Sequence, residues 1–223
     1  ALFLPIPGSP IGVAVSVDGN PRYGRLDPWR GGVTAVAEAM RVEYEAIVAA
    51  GFQVQIDCPD LAMARHTGFQ ALSDEEFVAR AEVHVDVLNH ATRNIAPEAM
   101  RMHLCWGNYE GPHDHDIPLD AVLPAVLRAR PSTILFEAAN PRHAHEWAVW
   151  ASASIPDDKV LAPGVVVSTS NYVDHPRHIA ELLARYVSIV GADRVIASTD
   201  CGFGTFAGAG AGLHANLGES ATI

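Results

Sequence analysis

Residues 33–57 read VTAVAEAMRVEYEAIVAAGFQVQID, and this stretch contains the unit that decides the fold class. Apolar residues recur every three or four positions between 33 and 50, which predicts an amphipathic helix. Gly51 follows, and glycine is the residue that most often ends a helix in a left-handed conformation. Residues 52–57 contain β-branched residues and predict a strand. A helix that passes directly into a strand is typical of folds with alternating helices and parallel strands.

The same alternation extends over most of the chain. Short apolar runs predict strands, and the longer amphipathic stretches between them predict helices. One helix begins at Ser73, where Ser73 and Glu76 have the spacing of a reciprocal capping box. The predicted strands are 11–17, 52–57, 102–106, 134–138, 165–168 and 195–199, and the predicted helices are 33–50, 73–93, 119–128, 142–151 and 176–190.

Two α/β architectures fit this alternation, an open doubly wound sheet and a closed (β/α)8 barrel. No predicted strand is followed directly by a complete Gly-x-Gly-x-x-Gly or Walker-type loop, so a nucleotide-binding open sheet loses its main support. We therefore predict a TIM-like (β/α)8 barrel that forms a single catalytic domain over residues 1–223. A barrel has eight strands and about 250 residues, so we expect this one to be incomplete on its N-terminal side. Residues 204–223 are expected to form an irregular tail.

Composition and charge narrow the possible partners. The chain has 15 Lys and Arg against 26 Asp and Glu, and its formal net charge of −11 repels phosphate backbones and anionic lipid headgroups. Its 3 Cys cannot form a closed disulfide framework, and the first basic residue, Arg22, comes too late for a signal peptide. These features predict a cytoplasmic protein that acts on small molecules rather than on nucleic acid or membranes. They leave the oligomeric state open.

Several possible metal ligands fall at the carboxyl ends of predicted strands. His103 and Cys105 are two positions apart, so in a strand their imidazole and thiolate face the same side. Glu137 and Cys201 lie at or just beyond the ends of other strands, on the rim where barrel active sites are built. One His, two Cys and a carboxylate favour Zn²⁺ over Mg²⁺ or Ca²⁺. A buried Cys could instead be a small core residue that binds no metal.

Four stretches resemble, in order, the catalytic barrel of cobalamin-independent methionine synthase. They are Gln55-Ile56-Asp57, His103-Leu104-Cys105, Phe136-Glu137 and Asp200-Cys201-Gly202, and the resemblance covers residues 33–203. Two longer stretches, residues 57–63 (DCPDLAM) and 103–112 (HLCWGNYEGP), are most similar to the single-barrel branch that includes epoxyalkane:coenzyme M transferase.

The resemblance implies a zinc site made by His103, Cys105 and Cys201, with Glu137 as a fourth ligand that the substrate can replace. Zinc would then activate a substrate thiol to attack an electrophilic carbon. Asp57 matches a residue that contacts the amino group of a homocysteine-like thiol. Asp57 could instead cap a helix or form a turn, and Glu137 could instead accept a hydrogen bond from His103.

The loop after His103 offers further candidates with open alternatives. Trp106, Asn108 and Tyr109 either bind substrate or are packing groups. The run His113-Asp114-His115-Asp116 (113–116) is a competing metal cluster or a set of solvated loop residues. Cys58 follows Asp57 and is expected to face away from the site, as a structural residue.

Several functions remain open at this stage. The leading hypothesis is zinc-dependent alkyl transfer to a thiol, with methyl transfer from a 5-methyltetrahydrofolate-type donor to homocysteine as the family's named activity. A thiol such as coenzyme M could instead add to an epoxide or another alkyl donor. Noncatalytic binding of zinc or a small molecule is a third hypothesis, and a metal hydrolase that uses residues 113–116 is a fourth. Thr169 stands where the double-barrel enzymes have a His that acts as general acid, so that proton donor is unmatched.

Overall fold

The computed structural model describes residues 12–16, 29–108, 112–170 and 172–203. Five parallel strands form one sheet in the order β1-β2-β3-β4-β5, so each strand pairs with the next one along the chain. Strands in a (β/α)8 barrel follow the same order, but the described residues form an open five-stranded sheet rather than a closed barrel. The strands are β1 (Gly12–Ser16), β2 (Gln53–Cys58), β3 (Met100–Leu104), β4 (Thr133–Phe136) and β5 (Val160–Pro163).

Helices connect successive strands and cover the sheet. Helix α1 joins β1 to β2, α2 and α3 lie between β2 and β3, α4 follows β3, α5 follows β4 and α6 follows β5. The helices are α1 (Trp29–Ala49), α2 (Met63–Thr67), α3 (Asp74–Ala91), α4 (Leu119–Leu127), α5 (Trp147–Ser152) and α6 (Pro176–Val190), with short 3-10 turns at Pro59–Leu61, Pro97–Ala99 and Ala192–Arg194. None of the helices in the described ranges is long and apolar enough to cross a membrane.

Local sequence signals set several of these boundaries. The backbone N–H of Glu76 donates to Ser73 Oγ at 3.2 Å, and Glu76 Oε2 accepts from the Ser73 N–H at 2.9 Å, so the predicted capping box starts α3. Gly51 ends the turn after α1 with a φ of 87°, a conformation that glycine adopts without steric cost. Helix α6 has the predicted bounds, and the His175 ring accepts a hydrogen bond from the Arg177 N–H at its start.

The core lies between the sheet and its helices. Phe136, at the end of β4, stacks on Trp150 of α5 with ring centroids 4.4 Å apart, and it makes an edge-to-face contact with Tyr186 of α6 at a centroid distance of 5.4 Å. Cys58 at the end of β2 is part of the same buried cluster, and burial raises the pKa of its thiol. Cys58 therefore packs in the core, as expected for a structural residue.

Three elements differ clearly from the sequence-based prediction. The fifth strand is Val160–Pro163 rather than 165–168, because residues 160–163 pair with β4. Residues 195–199 form no continuous strand; two isolated bridges join them to β5 and to the residue after it, Leu161↔Val195 and Gly164↔Ser198. Helix α5 begins at Trp147 rather than at 142, because turns occupy residues 141–146. The predicted tail, residues 204–223, lies outside the described residues.

Candidate metal centre

The fold brings His103, Cys105 and Cys201 together at the carboxyl ends of the strands. One ligand atom from each lies within 4.8 Å of the other two. The two sulfur atoms are 3.6 Å apart, and both thiols are free and buried. Two thiolates on one tetrahedral Zn²⁺ lie about 3.8 Å apart if each Zn–S bond is about 2.3 Å. The donor types and their spacing therefore fit a zinc ion.

His103 is oriented through both of its ring nitrogens. Its Nδ1 lies 2.9 Å from Asp57 Oδ1, and its Nε2 lies 2.9 Å from the backbone carbonyl oxygen of Asp200. Asp57 and His103 are also paired residues in the β2–β3 ladder. Burial lowers the pKa of His103, but the Asp57 hydrogen bond and the nearby Cys105 outweigh this effect and raise the pKa to about 9. The structure thus places the Asp57 carboxylate against His103, rather than in a helix cap.

The two cysteines have opposite tendencies to ionise. The hydrogen bond from Cys201 lowers the pKa of Cys105 against the effect of burial, and the positive charge on His103 lowers it further. The Gly107 N–H also donates to Cys105 Sγ at 3.3 Å. The same pairing, together with burial, raises the pKa of the Cys201 thiol well above its ordinary value. Without a metal, Cys105 is therefore the preferred thiolate of the pair.

Glu137 lies beside this cluster and is held through both carboxylate oxygens. Its Oε1 accepts a hydrogen bond from the Trp106 N–H at 2.9 Å and lies 3.7 Å from Cys201 Sγ. Its Oε2 accepts from Asn140 Nδ2 at 2.7 Å and from Arg142 Nη2 at 3.1 Å. The compact set of three donors does not include Glu137. His103 makes its hydrogen bonds with Asp57 and Asp200 rather than with Glu137.

Asp200 positions the segment that carries Cys201. Its Oδ1 accepts from the backbone N–H groups of Ala138 and Ala139, and its Oδ2 from the N–H and side-chain amide of Asn140, all at 2.9 Å. Gly164 allows the close approach, because a Cβ there would lie 2.1 Å from Asp200 Oδ1. These bonds tie residue 200 to the loop after β4 and so place Cys201 next to Glu137.

A narrow cleft lies beside the candidate metal centre and has no room for a water-sized molecule. Asn108 lines the cleft and donates from Nδ2 to the Gly202 carbonyl oxygen at 2.9 Å. The Trp106 indole instead is fully buried, and it donates to the Ile117 carbonyl oxygen at 2.8 Å. The Trp106 side chain therefore packs in the protein while its backbone N–H holds Glu137. Tyr109 lies outside the described residues.

Asn140 and Arg142 have no role in the sequence-based prediction, and Asp200 has none of its own. Asn140 and Arg142 line the cleft and bind the Glu137 carboxylate. Both follow the end of β4, so their position on the carboxyl rim was the available signal. Thr169 also lines the cleft.

Comparison with solved structures supports the fold. The chain is similar to a B12-independent methionine synthase from Shewanella sp. W3-18-1, solved with selenomethionine, with a TM-score of 0.61 and 18% identity over 81% of this chain. A Listeria monocytogenes protein assigned as a vitamin B12-independent methionine synthase gives a TM-score of 0.53 and 18% identity over 80% of this chain. This chain spans about half of each structure, 51% in both cases.

Sequence comparisons are less extensive. No family model matches the chain. A stretch of 40 residues, 18% of this chain, is 60% identical to phosphoribosylformylglycinamidine synthase subunit PurL from Methanothrix thermoacetophila, of which it covers 5%. The same subunit from Deinococcus radiodurans is 54% identical over 41 residues and is covered to 6%. These short matches establish neither a fold nor an activity for the chain. Its parallel α/β fold is shared with part of the methionine synthase structures, whereas the likeness to the single-barrel branch rests on the sequence motifs.

Proposed function

We propose that this chain is a zinc-dependent enzyme that transfers an alkyl group to a substrate thiol, with methyl transfer to homocysteine as the specific reaction. The observation that carries the proposal is the meeting of His103, Cys105 and Cys201 at the carboxyl ends of the strands, with donor atoms within 4.8 Å. The fold likeness to methionine synthases supports the same reaction class. This rim is where barrel enzymes build their active sites.

In this proposal His103, Cys105 and Cys201 hold the zinc ion and Glu137 is the ligand that the substrate replaces. When bound, zinc lowers the pKa of a coordinated thiol, so that the sulfur is nucleophilic near neutral pH. Asp57 orients the imidazole of His103, as carboxylates do for many metal-binding histidines. Its side chain remains 34% exposed, which leaves it accessible for the predicted contact with a substrate amino group.

The surroundings of Glu137 suit a ligand that leaves and returns. Arg142, Asn140 and the Trp106 N–H bind its carboxylate without any metal. Because these donors offset its negative charge, Glu137 can give up its place to the substrate sulfur without becoming an unpaired buried ion. In the overall reaction the thiol S–H bond and the carbon–leaving-group bond break, an S–C bond forms, and the leaving group takes up the proton.

The test begins with the zinc content of the full-length chain and three serine variants. We expect Cys105→Ser and Cys201→Ser each to weaken zinc binding by more than about 100-fold. Loss of a residue that only hydrogen-bonds to a metal ligand weakens binding by about 10- to 100-fold. Cys58→Ser is the matched control, because Cys58 is buried in the core cluster and should leave zinc content unchanged. Zinc loss confined to the Cys58 variant, or zinc retained in both rim variants, would contradict the ligand assignment.

Substrate profiling then tests the reaction. We expect the zinc-loaded chain to methylate homocysteine with a methyltetrahydrofolate-type donor. Turnover of an epoxide with coenzyme M, without any folate dependence, would reject methionine synthesis and support the alternative thiol addition. Stoichiometric zinc whose coordination does not change when thiols are added would indicate a noncatalytic zinc-binding protein. The three outcomes differ in the product formed and in whether zinc coordination changes when a thiol is added.

A further inference from the structure

The loop between β3 and α4 carries the run His113-Asp114-His115-Asp116, and the structure divides this run between two environments. His113 and Asp116 pair with each other at 3.1 Å and contact Arg142 beside the candidate metal centre. Asp114 and His115 are exposed, and they lie next to His66 of helix α2. The second group therefore brings together residues that are far apart in the sequence and distinct from the zinc ligands proposed above.

His66, Asp114 and His115 form a compact group at the protein surface. Asp114 Oδ1 lies 2.9 Å from His115 Nδ1 and 3.8 Å from His66 Nδ1. The two imidazole centroids are 6.2 Å apart with an interplanar angle of 57°. One ligand atom from each residue lies within 4.8 Å of the other two. Three donors from two separate elements thus converge on one point at the protein surface.

We propose that His66, Asp114 and His115 form a second binding site, for a divalent transition-metal ion such as Zn²⁺ or Co²⁺. Two imidazoles and one carboxylate are a donor set that zinc and its neighbours prefer, whereas Ca²⁺ and Mg²⁺ prefer oxygen ligands alone. The Asp114 and His115 side chains are 69% and 41% exposed, so water completes the coordination. The His66 side chain is only 12% exposed, which restricts where its ring can point.

Stacking further restrains the His66 ring. The rings of His66 and His113 are nearly parallel, with centroids 5.4 Å apart and an interplanar angle of 13°. A metal bound to His66 and His115 would therefore join α2 to the loop that also carries His113 and Asp116. Arg142 contacts the His113–Asp116 pair and donates to Glu137 at 3.1 Å, so this loop borders the candidate zinc centre. A metal at the second site would therefore restrain that loop.

The test uses a full-length chain that carries Cys105→Ser and Cys201→Ser, so that the proposed zinc centre cannot bind the added ion. Titration with Co²⁺ should show one saturable equivalent without thiolate-to-cobalt charge-transfer absorption. His66→Ala and His115→Ala should each weaken this binding by about 100-fold or more. His178→Ala, at an exposed histidine of α6, is the matched control and should leave Co²⁺ affinity unchanged.

Two further measurements keep the proposal falsifiable if the double cysteine variant does not fold. The wild-type chain, with zinc already bound at the first site, should take up one equivalent of Co²⁺ that again shows no thiolate-to-cobalt charge-transfer absorption. Hydrogen exchange of residues 112–118 should slow when this equivalent binds, and the slowing should disappear in His115→Ala. No saturable Co²⁺ binding, or binding that His66→Ala and His178→Ala affect equally, would overturn the second site. Neither outcome depends on whether the chain transfers alkyl groups.

Discussion

Replacing Gly164 by Ala should damage both stability and metal binding, because it acts on the residue that places Cys201. The new Cβ would lie 2.1 Å from Asp200 Oδ1 and 2.6 Å from Asp200 Cα. The second contact is with backbone, so a rotamer change of Asp200 cannot relieve it. The two segments must separate by roughly 1 Å to reach an ordinary carbon–carbon distance of about 3.5 Å.

The expected cost follows from two effects. Overpacking of a buried contact costs about 1–3 kcal/mol, and weakening one of the charged hydrogen bonds of Asp200 costs about 1.5–3 kcal/mol. We expect the free energy of unfolding to fall by about 3 kcal/mol or more, which corresponds to a decrease in Tm of roughly 6–12 °C for a chain of this size. Zinc affinity should fall as well, because the Asp200 carbonyl contacts His103 and Cys201 is the next residue.

Urea denaturation and zinc titration of the full-length chain measure both effects. Gly51→Ala is the control, since its φ of 87° strains any side chain but no atom lies within 4 Å of the new Cβ. Gly51 also precedes β2, at the end of the strand opposite Asp57. The Gly51→Ala variant should lose about 1–2 kcal/mol in its free energy of unfolding and keep the zinc affinity of the wild type. Equal losses in the two variants, or unchanged zinc affinity in Gly164→Ala, would refute the steric role of Gly164.

Two predictions concern elements away from the site. Ser73→Ala should lower the free energy of unfolding by about 1 kcal/mol in urea denaturation, because the Glu76 N–H loses its cap; an unchanged midpoint would contradict this. Hydrogen bonds from Arg93 and then Arg41 lower the pKa of Glu38 from 4.5 to about 2. The folded-state pKa is depressed, so the stabilising contribution is present above pH 4.5 and is lost as the pH falls toward about 2. Wild type should therefore exceed Glu38→Gln in Tm above pH 4.5, and the difference should close toward about pH 2; a difference independent of pH would contradict the ion pairs.

Elements with strong local signals were predictable from the sequence. Helix α6 has Pro176 at its first position and Gly191 after its last, and its predicted bounds agree with the structure. Strand β5 was misplaced because Lys159, Pro163 and Gly164 make residues 159–164 resemble a loop. The structure buries Lys159, whose ammonium group donates to the carbonyl oxygens of Ala129 and Pro131. Such a partnership depends on distant residues, so no local pattern could reveal this strand.

The candidate donors could be predicted for a different reason. His103, Cys105 and Cys201 are chemically unusual residues at the ends of predicted strands, and parallel strands bring their carboxyl ends to one rim. Their partners could not be predicted, because the pairing of Asp57 with His103 requires the β2–β3 register. The Asp200 carboxylate likewise binds backbone N–H groups, and these carry no sequence signal.

Charge balance explains why these partners matter to the proposed chemistry. Asp57 faces His103, Glu137 faces Arg142, and the Asp200 carboxylate is satisfied by N–H groups, so each carboxylate near the centre has its own donor. Within the described part of the chain the two sulfurs have no comparable cation beyond His103, and so the metal-free pair favours one thiolate and keeps Cys201 protonated. A Zn²⁺ ion would balance two thiolates beside a neutral imidazole, and it would displace protons from His103 and Cys201 as it binds. The incoming substrate sulfur would then bring a negative charge that none of these contacts among the described residues offsets, which directs the reactivity of the centre to that atom.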